Sequence, residues 1–328
     1  MVKVNPVNVC FGPEKYLRNE YIGQLLNELV EPEQREFGVS RYDLAETPLE
    51  AVLEDAETAP FFVPRKVILA SNAVFLTGAK ESGKIEHKVD RFAAYLKSPA
   101  EYSVLVFTVE ADKLDERKKI VKQLKENKWL HSFSALSAEE LAKWVERRAE
   151  KLQFRFAPGA LEPFLLYCGG QMEVLAAEME KLSLYTGAGG VVTAELVDQL
   201  VVRSTEQNIF LLIEDIVQLR MERAFAILYE LLKQKEEPIK IVMLMARQFR
   251  IILQVKELSA QGYSHQQIAG QIGLHPFPVK IAADQGRRYS SARLAQILSK
   301  LADLDFQIKS GGIDKVLGLE LAMLEIGR

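Results

Sequence analysis

The stretch SVLVFTV at Ser103–Val109 is a continuous run of apolar and β-branched residues. A strand that is covered on both faces has apolar residues at successive positions, whereas a strand with one wet face alternates between apolar and polar ones. The same continuous pattern occurs in VNVCF at Val7–Phe11 and in KVILA at residues 66–70. The three runs therefore predict buried strands of a parallel sheet that carries helices on both of its faces.

Weaker strand signals and several helical segments surround these runs. Strands are predicted at residues 39–44 and 129–133, and helices at residues 16–29, 49–56 and 115–127, where apolar side chains recur at helical spacing. Alternation of strands with helices is typical of a doubly wound α/β layer. We therefore predict an α/β domain over residues 1–140.

The pattern changes at Ser137, which begins a capping box because Glu140 stands three residues later. From there to the C-terminus almost only helical periodicity is present. It is interrupted by a glycine-rich turn at residues 187–190 and a Glu-Glu-Pro break at residues 236–238, and a last amphipathic stripe ends at Gly311-Gly312. These breaks predict a small helical domain over residues 141–210 and a larger helical bundle over residues 211–328.

The composition excludes several classes of protein. The chain has 328 residues, of which 48% are hydrophobic and 27% charged, with a net charge of −3, so disorder is not expected. Cys10 and Cys168 are too few for a disulfide framework or a four-cysteine zinc site, which favours a reducing cytoplasm. We expect no secretion signal and no membrane span, since even the apolar stretch at residues 210–232 contains six charged side chains.

Residues 78–85, GAKESGKI, have the spacing of a phosphate-binding loop. In such a loop backbone N–H groups surround the phosphates, the lysine neutralises them and a final Ser or Thr hydroxyl holds magnesium. Here the final position is Ile85, which cannot ligate a metal ion, and no convincing helix starts at Lys84. A solvated loop rich in glycine and lysine is the favoured interpretation.

A nucleotide loop would be expected after the first strand, where the sequence is FGPEKYL at residues 11–17. Pro13 has no N–H to donate and the Glu14 carboxylate would repel phosphates. The strand at Ser103–Val109 continues into Glu110 without the acidic pair that holds magnesium and positions water. These features indicate a nucleotide-binding scaffold that has lost hydrolysis, and we predict no catalytic residue, metal ion or cofactor.

A pair of aromatic residues lies between prolines in APFFVP at residues 59–64. Phe61 and Phe62 could fill the core or could be an exposed contact for another protein, and composition alone favours the core. If both rings are exposed, their burial by a partner is worth roughly 3–6 kcal/mol, or on the order of 10² to 10⁴ in affinity. That is enough for a binding hot spot.

Residues 263–274 together with Val279 have the apolar and glycine spacing of a helix-turn-helix. Lys280, Arg287 and Arg288 would then lie on or near a recognition helix and are candidate contacts to DNA or to a partner. Residues 238–328 carry a net charge of +5, while residues 1–140 and 141–237 each carry −4. Two short helices packed in a bundle are nevertheless favoured, because Pro276-Phe277-Pro278 offers almost no base-reading side chain.

The whole chain resembles the delta subunits of the bacterial DNA polymerase III clamp loader, in their Gram-positive form. The resemblance lies in the order and spacing of several short motifs along the sequence. They are GPEKYL at residues 12–17, FFVPRKVI at residues 61–68, LDERKK at residues 114–119, Gly169-Gly170 followed by EMEKL at residues 178–182, and DFQIKSG at residues 305–311.

The resemblance implies three domains: an AAA+-like α/β domain over residues 1–140, a small helical lid over residues 141–210 and a helical collar over residues 211–328. It also implies partners, namely the sliding clamp, clamp-loader subunits of the gamma/tau and delta-prime type, and primed DNA within the assembly. ATP is expected on those partner subunits only. The family binds the clamp and opens its ring without hydrolysing ATP itself.

By the same resemblance, the clamp contact is a hydrophobic pair that falls on Phe61 and Phe62, which reverses the preference for the core. The usual leucine-phenylalanine pair is replaced here by two phenylalanines between Pro60 and Pro64. Two other classes remain open from the residues themselves: a P-loop ATPase that uses residues 78–84, and a DNA-binding regulator that uses residues 263–288.

Overall fold

The computed structural model describes residues 4–79 and 85–327. These residues divide into two compact units, and the boundary between the units lies between Ala135 and Leu136. The first unit contains a sheet and helices, and the second is built almost wholly from helices.

Among its described residues, the first unit has a sheet of five parallel strands. They are β1 (Val7–Phe11), β2 (Val39–Asp43), β3 (Lys66–Ser71), β4 (Ser103–Val109) and β5 (Leu130–Ser132). Their order across the sheet is β2-β3-β4-β1-β5. The sequence predicted all five, and β4 has the bounds expected from its apolar run.

In the described part of this unit, five α-helices lie between the strands: α1 (Lys15–Leu29), α2 (Arg35–Gly38), α3 (Leu49–Glu57), α4 (Val89–Tyr95) and α5 (Lys119–Glu126). Two short 3-10 helices, Pro32–Gln34 and Val74–Leu76, accompany them. The continuous apolar runs are explained by cores on both faces of the sheet. In β4, Leu105 and Phe107 pack into one apolar cluster, while Val104 and Val106 pack into the other. The prediction of a doubly wound parallel sheet is thereby confirmed.

The helix predicted at residues 115–127 begins later than expected, at Lys119. The Asp115 carboxylate accepts a hydrogen bond from the Arg117 backbone N–H at 3.1 Å, which closes a local turn. Asp side chains compete with the helix in this way for backbone donors. The preceding residues are therefore a turn, and the predicted start was wrong.

The second unit contains eleven helices and two short strands within its described residues. In chain order they are α6 (Ala138–Lys151), β6 (Phe154–Phe156), α7 (Leu161–Cys168), α8 (Met172–Thr186), β7 (Gly190–Val192), α9 (Ala194–Leu200), α10 (Thr205–Val217), α11 (Met221–Lys233), α12 (Pro238–Ala260), α13 (His265–Ile272), α14 (Pro276–Gly286), α15 (Ser291–Lys309) and α16 (Lys315–Ile326). The capping box predicted at Ser137 is present at the start of α6.

The sequence did not predict β6 and β7, which pair in parallel over three residues each. Strands this short give too few alternating positions to stand out from helical surroundings. A single apolar cluster runs from Ile209 to Ile326 through helices α10 to α16. The division of this unit into a lid over residues 141–210 and a collar over residues 211–328 stays a prediction.

The fold is an α/β module with a parallel sheet, followed by a mainly helical unit, as the sequence predicted. The apolar stretch at residues 210–232 forms two separate helices, α10 and α11. Across residues 4–79 and 85–327, none of the helices combines the length and apolar character required to cross a membrane.

Candidate functional site

The connection between α3 and β3 holds two phenyl rings outside the core. The Phe61 side chain is 94% exposed and that of Phe62 is 76% exposed, while the next residue, Val63, is buried. Large apolar side chains normally lose this exposure on folding, so the adjacent exposed pair is a candidate interaction surface. The interpretation of these rings as a core plug, which composition alone favoured, is wrong.

A buried ion pair fixes the base of this connection. Lys66, the first residue of β3, has a side chain only 7% exposed, and its Nζ lies 2.7 Å from the Asp55 Oδ1 on α3. The Asp55 carboxylate also accepts from the Tyr42 hydroxyl at 3.1 Å. Burial alone would raise the Asp55 pKa, but hydrogen bonds from Lys66, Ser40 and Tyr42 outweigh it, so this pKa lies below its usual value.

The C-terminal end of α3 is held by further side chains. The Ser103 hydroxyl donates to the Ala56 carbonyl oxygen at 2.7 Å, and the Tyr102 hydroxyl donates to that of Glu57 at 2.6 Å. These bonds satisfy carbonyl groups that a helix end leaves without an internal partner. The aromatic pair therefore projects from a connection whose two ends are anchored.

A third exposed aromatic residue, Phe37, lies beside the pair. It belongs to α2, its side chain is 62% exposed, and its ring centroid is 5.3 Å from that of Phe62. Sequence reasoning missed Phe37 because it lies in a different segment from the pair. The available signal was an aromatic residue within the charged stretch EPEQREF, without apolar neighbours at helical spacing.

The position of a nucleotide loop, after β1, is closed by the chain itself. The Phe133 N–H donates to the Phe11 carbonyl oxygen at 2.7 Å, and the Phe133 carbonyl oxygen accepts from the Glu14 N–H at 3.0 Å. Gly12 has φ +125°, and a Cβ there would lie 2.2 Å from the Phe133 oxygen. Gly12 is thus required by this close approach and not by a phosphate.

The start of α1 is occupied by protein carboxylates. The Glu14 carboxylate caps the helix by accepting from the Tyr16 N–H at 3.2 Å, in the place where a bound anion would sit. The Lys15 Nζ lies 2.9 Å from Glu110, which follows β4, and the buried Arg18 also reaches Glu110 at 3.6 Å. The hydrogen bond from Lys15 is the main reason why the Glu110 pKa is lowered.

The second phosphate-loop candidate, at residues 78–85, lies partly outside the described residues, since Lys80 to Lys84 are not among them. On its C-terminal side, Ile85 to Lys88 are not helical and α4 begins at Val89. A phosphate-binding loop requires a helix to begin directly after its lysine.

The helix-turn-helix candidate forms α13 and α14, which pack into the helical bundle. Ile268, Val279 and Ala282 are all buried in the cluster shared by α10 to α16. This is the packing expected of two ordinary bundle helices, the interpretation that the sequence favoured.

The three basic residues proposed for DNA or partner contacts lie on and just after α14. Lys280 is exposed and forms no ion pair with any residue in the described ranges. Arg287 pairs with Asp284 at 3.2 Å, and Arg288 donates to the Val217 carbonyl oxygen at 3.4 Å. Asp284 lies four residues after Lys280 and three residues before Arg287, a spacing that places the three side chains on one helix face. Its carboxylate therefore reduces the positive charge of this surface.

The two cysteines and the possible metal ligands of the described residues are the remaining candidates for a reactive site. Cys10 and Cys168 are unpaired and buried, and burial raises the pKa of each thiol to about 12. Such thiols stay protonated and unreactive. Over residues 4–79 and 85–327, no group of three or more His, Cys, Asp or Glu side chains is arranged to hold a metal ion.

Comparison with known proteins gives matches in both units. A family model described as DNA polymerase III, delta subunit matches residues 9–133, and one described as DNA polymerase III delta subunit, C-terminal domain matches residues 206–326. DNA polymerase III subunit delta of Bacillus subtilis (strain 168) is 40% identical over 324 residues, which are 99% of this chain and 93% of that protein.

A solved structure is also similar. The Bacillus subtilis DNA clamp loader delta protein matches with a TM-score of 0.80 at 40% identity, over 99% of this chain and 96% of that one. A relative of this identity along nearly the whole sequence agrees with both family models. The chain therefore belongs to the DNA polymerase III delta subunit family.

Proposed function

We propose that this chain is the clamp-loader subunit that binds the sliding clamp and opens its ring for loading onto primed DNA. The observation that carries the proposal is the exposed pair Phe61 and Phe62, held on a connection whose ends are joined by the Lys66–Asp55 ion pair. The similar solved structure is that of a DNA clamp loader delta protein, which supports the same role.

The two rings supply energy of a useful size for opening a ring. Burial of two phenyl side chains contributes roughly 3–6 kcal/mol. Moving a two-state equilibrium from 1:99 to 99:1 takes about 5.5 kcal/mol of differential binding. Since only the difference in affinity between closed and open clamp counts, the rings must make most of their contact in the open state.

The proposal assigns no catalysis to this chain, which would act as a non-catalytic subunit of the DNA polymerase III holoenzyme in the cytoplasm. Subunits of the gamma/tau and delta-prime type would complete the assembly and bind the ATP. The carboxylate of Glu14 at the start of α1 and the pairing of Lys15 with Glu110 support this assignment. The Glu14 carboxylate places negative charge where phosphates would lie, and the pairing with Glu110 removes the free positive charge of Lys15 there.

The isolated chain is expected to have no measurable affinity for ATP with magnesium, that is, a Kd weaker than about 1 mM. Calorimetric titration with ATP checks this, and a partner subunit that binds ATP serves as the positive control. Tight binding that disappears in Lys84→Ala would instead identify residues 78–84 as an active phosphate loop.

We also propose that Lys280, Arg287 and Arg288 contact DNA or a partner subunit in the assembly. Lys280 is the strongest candidate contact of the three, because the charge of Arg287 is already paired with that of Asp284. Contacts to phosphate are salt-dependent, so removing one should weaken DNA binding by the assembly and reduce its salt dependence.

The direct test of the main proposal uses the full chain and the sliding clamp of the same organism. Co-elution from a sizing column, followed by calorimetric titration, is expected to show a complex. If micromolar mixtures of the two proteins elute separately, the proposed function is wrong.

A further inference from the structure

We infer that Phe37 is a third aromatic residue of the clamp-binding surface and acts as a positioning residue for Phe62. This inference rests on the proposed function, because it takes the sliding clamp as the partner that covers Phe61 and Phe62. It assigns different roles to the two rings. Phe61 inserts into the clamp, while Phe62 inserts into the clamp and is also held from one side by Phe37.

The contact between the rings carries the inference. The centroids of Phe37 and Phe62 are 5.3 Å apart and their planes are inclined by 51°. Tilted aromatic pairs at this separation attract each other beyond the area that they bury. The exposed fractions differ accordingly, with 94% for Phe61 and 76% for Phe62.

The position of Phe37 follows from the glycine beside it. Gly38 ends α2 and is buried, and a Cβ at this residue would lie 2.8 Å from Val30 Cγ1 and 3.5 Å from Val63 Cγ1. The missing side chain leaves room for the Val30 side chain, and Gly38 also lies beside Val63, the residue directly after Phe62. Two segments that are distant in sequence are thus packed together next to the exposed rings.

This packing has a consequence for binding. A free phenyl side chain loses rotamer freedom when a partner immobilises it, and that loss reduces the affinity. Phe37 restricts the Phe62 ring before the clamp arrives, so less freedom is lost on binding. Phe37 also extends the apolar surface, so the clamp pocket must accommodate a face of three rings instead of a pair.

The first experiment measures the clamp affinity of full-length single variants by calorimetric titration. Phe37→Ala is expected to weaken binding about tenfold, and Phe37→Tyr, which keeps the ring, should bind within about threefold of the wild type. Phe306→Ala removes a phenylalanine that is 71% exposed on α15 and should leave the affinity unchanged. The melting temperature of Phe37→Ala should stay near that of the wild type, since its side chain is mostly exposed.

A double-mutant cycle separates positioning from an independent contact. In the Phe61→Ala background, Phe37→Ala should again cost about tenfold. In the Phe62→Ala background it should cost less than about threefold, because the ring that it positions is gone. Equal losses in both backgrounds would overturn the positioning role.

The outcomes also distinguish this inference from the proposed function. If the wild-type chain does not bind the clamp, the proposed function fails. If Phe61→Ala/Phe62→Ala loses the clamp while Phe37→Ala binds like the wild type, only the inference about Phe37 fails.

Discussion

Replacing both Phe61 and Phe62 by alanine is expected to weaken clamp binding by a factor on the order of 10² to 10⁴. Each ring contributes roughly 1.5–3 kcal/mol when it moves from water into an apolar pocket. Both side chains are exposed in the chain, so their removal leaves no internal cavity. The measurement is calorimetric titration of the clamp, with circular dichroism to verify that the variant is folded.

A matched control comes from another adjacent pair of exposed apolar residues. Leu184 and Tyr185, on α8, are 87% and 63% exposed. The variant Leu184→Ala/Tyr185→Ala removes a similar apolar area and should bind the clamp like the wild type. An unchanged affinity of the Phe61→Ala/Phe62→Ala variant would contradict the proposed contact.

The second large effect is expected for Lys66→Met, which should lower the free energy of unfolding by about 3 kcal/mol. Methionine fills much of the space of the lysine stem but leaves the Asp55 carboxylate without its cation. Removing one member of a buried ion pair leaves an uncompensated charge, and this is more costly than removing both members. The Asp55 side chain is 21% exposed, so water relieves part of the cost and the lower end of the usual range applies. Chemical denaturation of the full chain measures the change.

The effect of Lys66→Met should depend on pH. The pKa of Asp55 is lowered in the folded wild type, so its stabilisation is present above the unfolded value of about 3.9 and is lost as the pH falls through the folded value. In the variant, burial without a cation raises that pKa, so the carboxyl is protonated at a higher pH. The difference between the two proteins should therefore shrink towards acidic pH.

The neighbouring Arg65 offers the matched control for this substitution. It precedes Lys66 directly and its side chain is exposed. Arg65→Met should change the free energy of unfolding by no more than about 0.5 kcal/mol. A loss for Arg65→Met equal to that for Lys66→Met would show that the buried pair is not the cause.

The parallel sheet could be predicted because burial on both faces leaves a local signature. Successive residues of β4 enter two different cores, and this requires an unbroken apolar run such as SVLVFTV. The start of α5 could not be placed in the same way. It depends on one hydrogen bond to Asp115, and periodicity does not report such a bond.

The candidate site was predictable only in part. Resemblance indicated Phe61 and Phe62, whereas composition alone placed them in the core, since the sequence does not show whether a ring points inward or outward. Lys66 gave no signal, because lysine is usually exposed and its burial depends on Asp55 in another element. Phe37 meets Phe62 only after two distant segments have packed around Gly38.

The anchored connection also determines how a mechanical load would travel through this chain. A ring-shaped protein that is held open tends to close again, and it exerts a force on the protein that holds it open. The connection that carries Phe61 and Phe62 leads directly into β3, an interior strand between β2 and β4, and Lys66 joins the strand to α3. The closing force of a bound clamp would therefore act on the sheet before it extended the connection. The chain would hold the clamp through a rigid contact and not through a flexible loop.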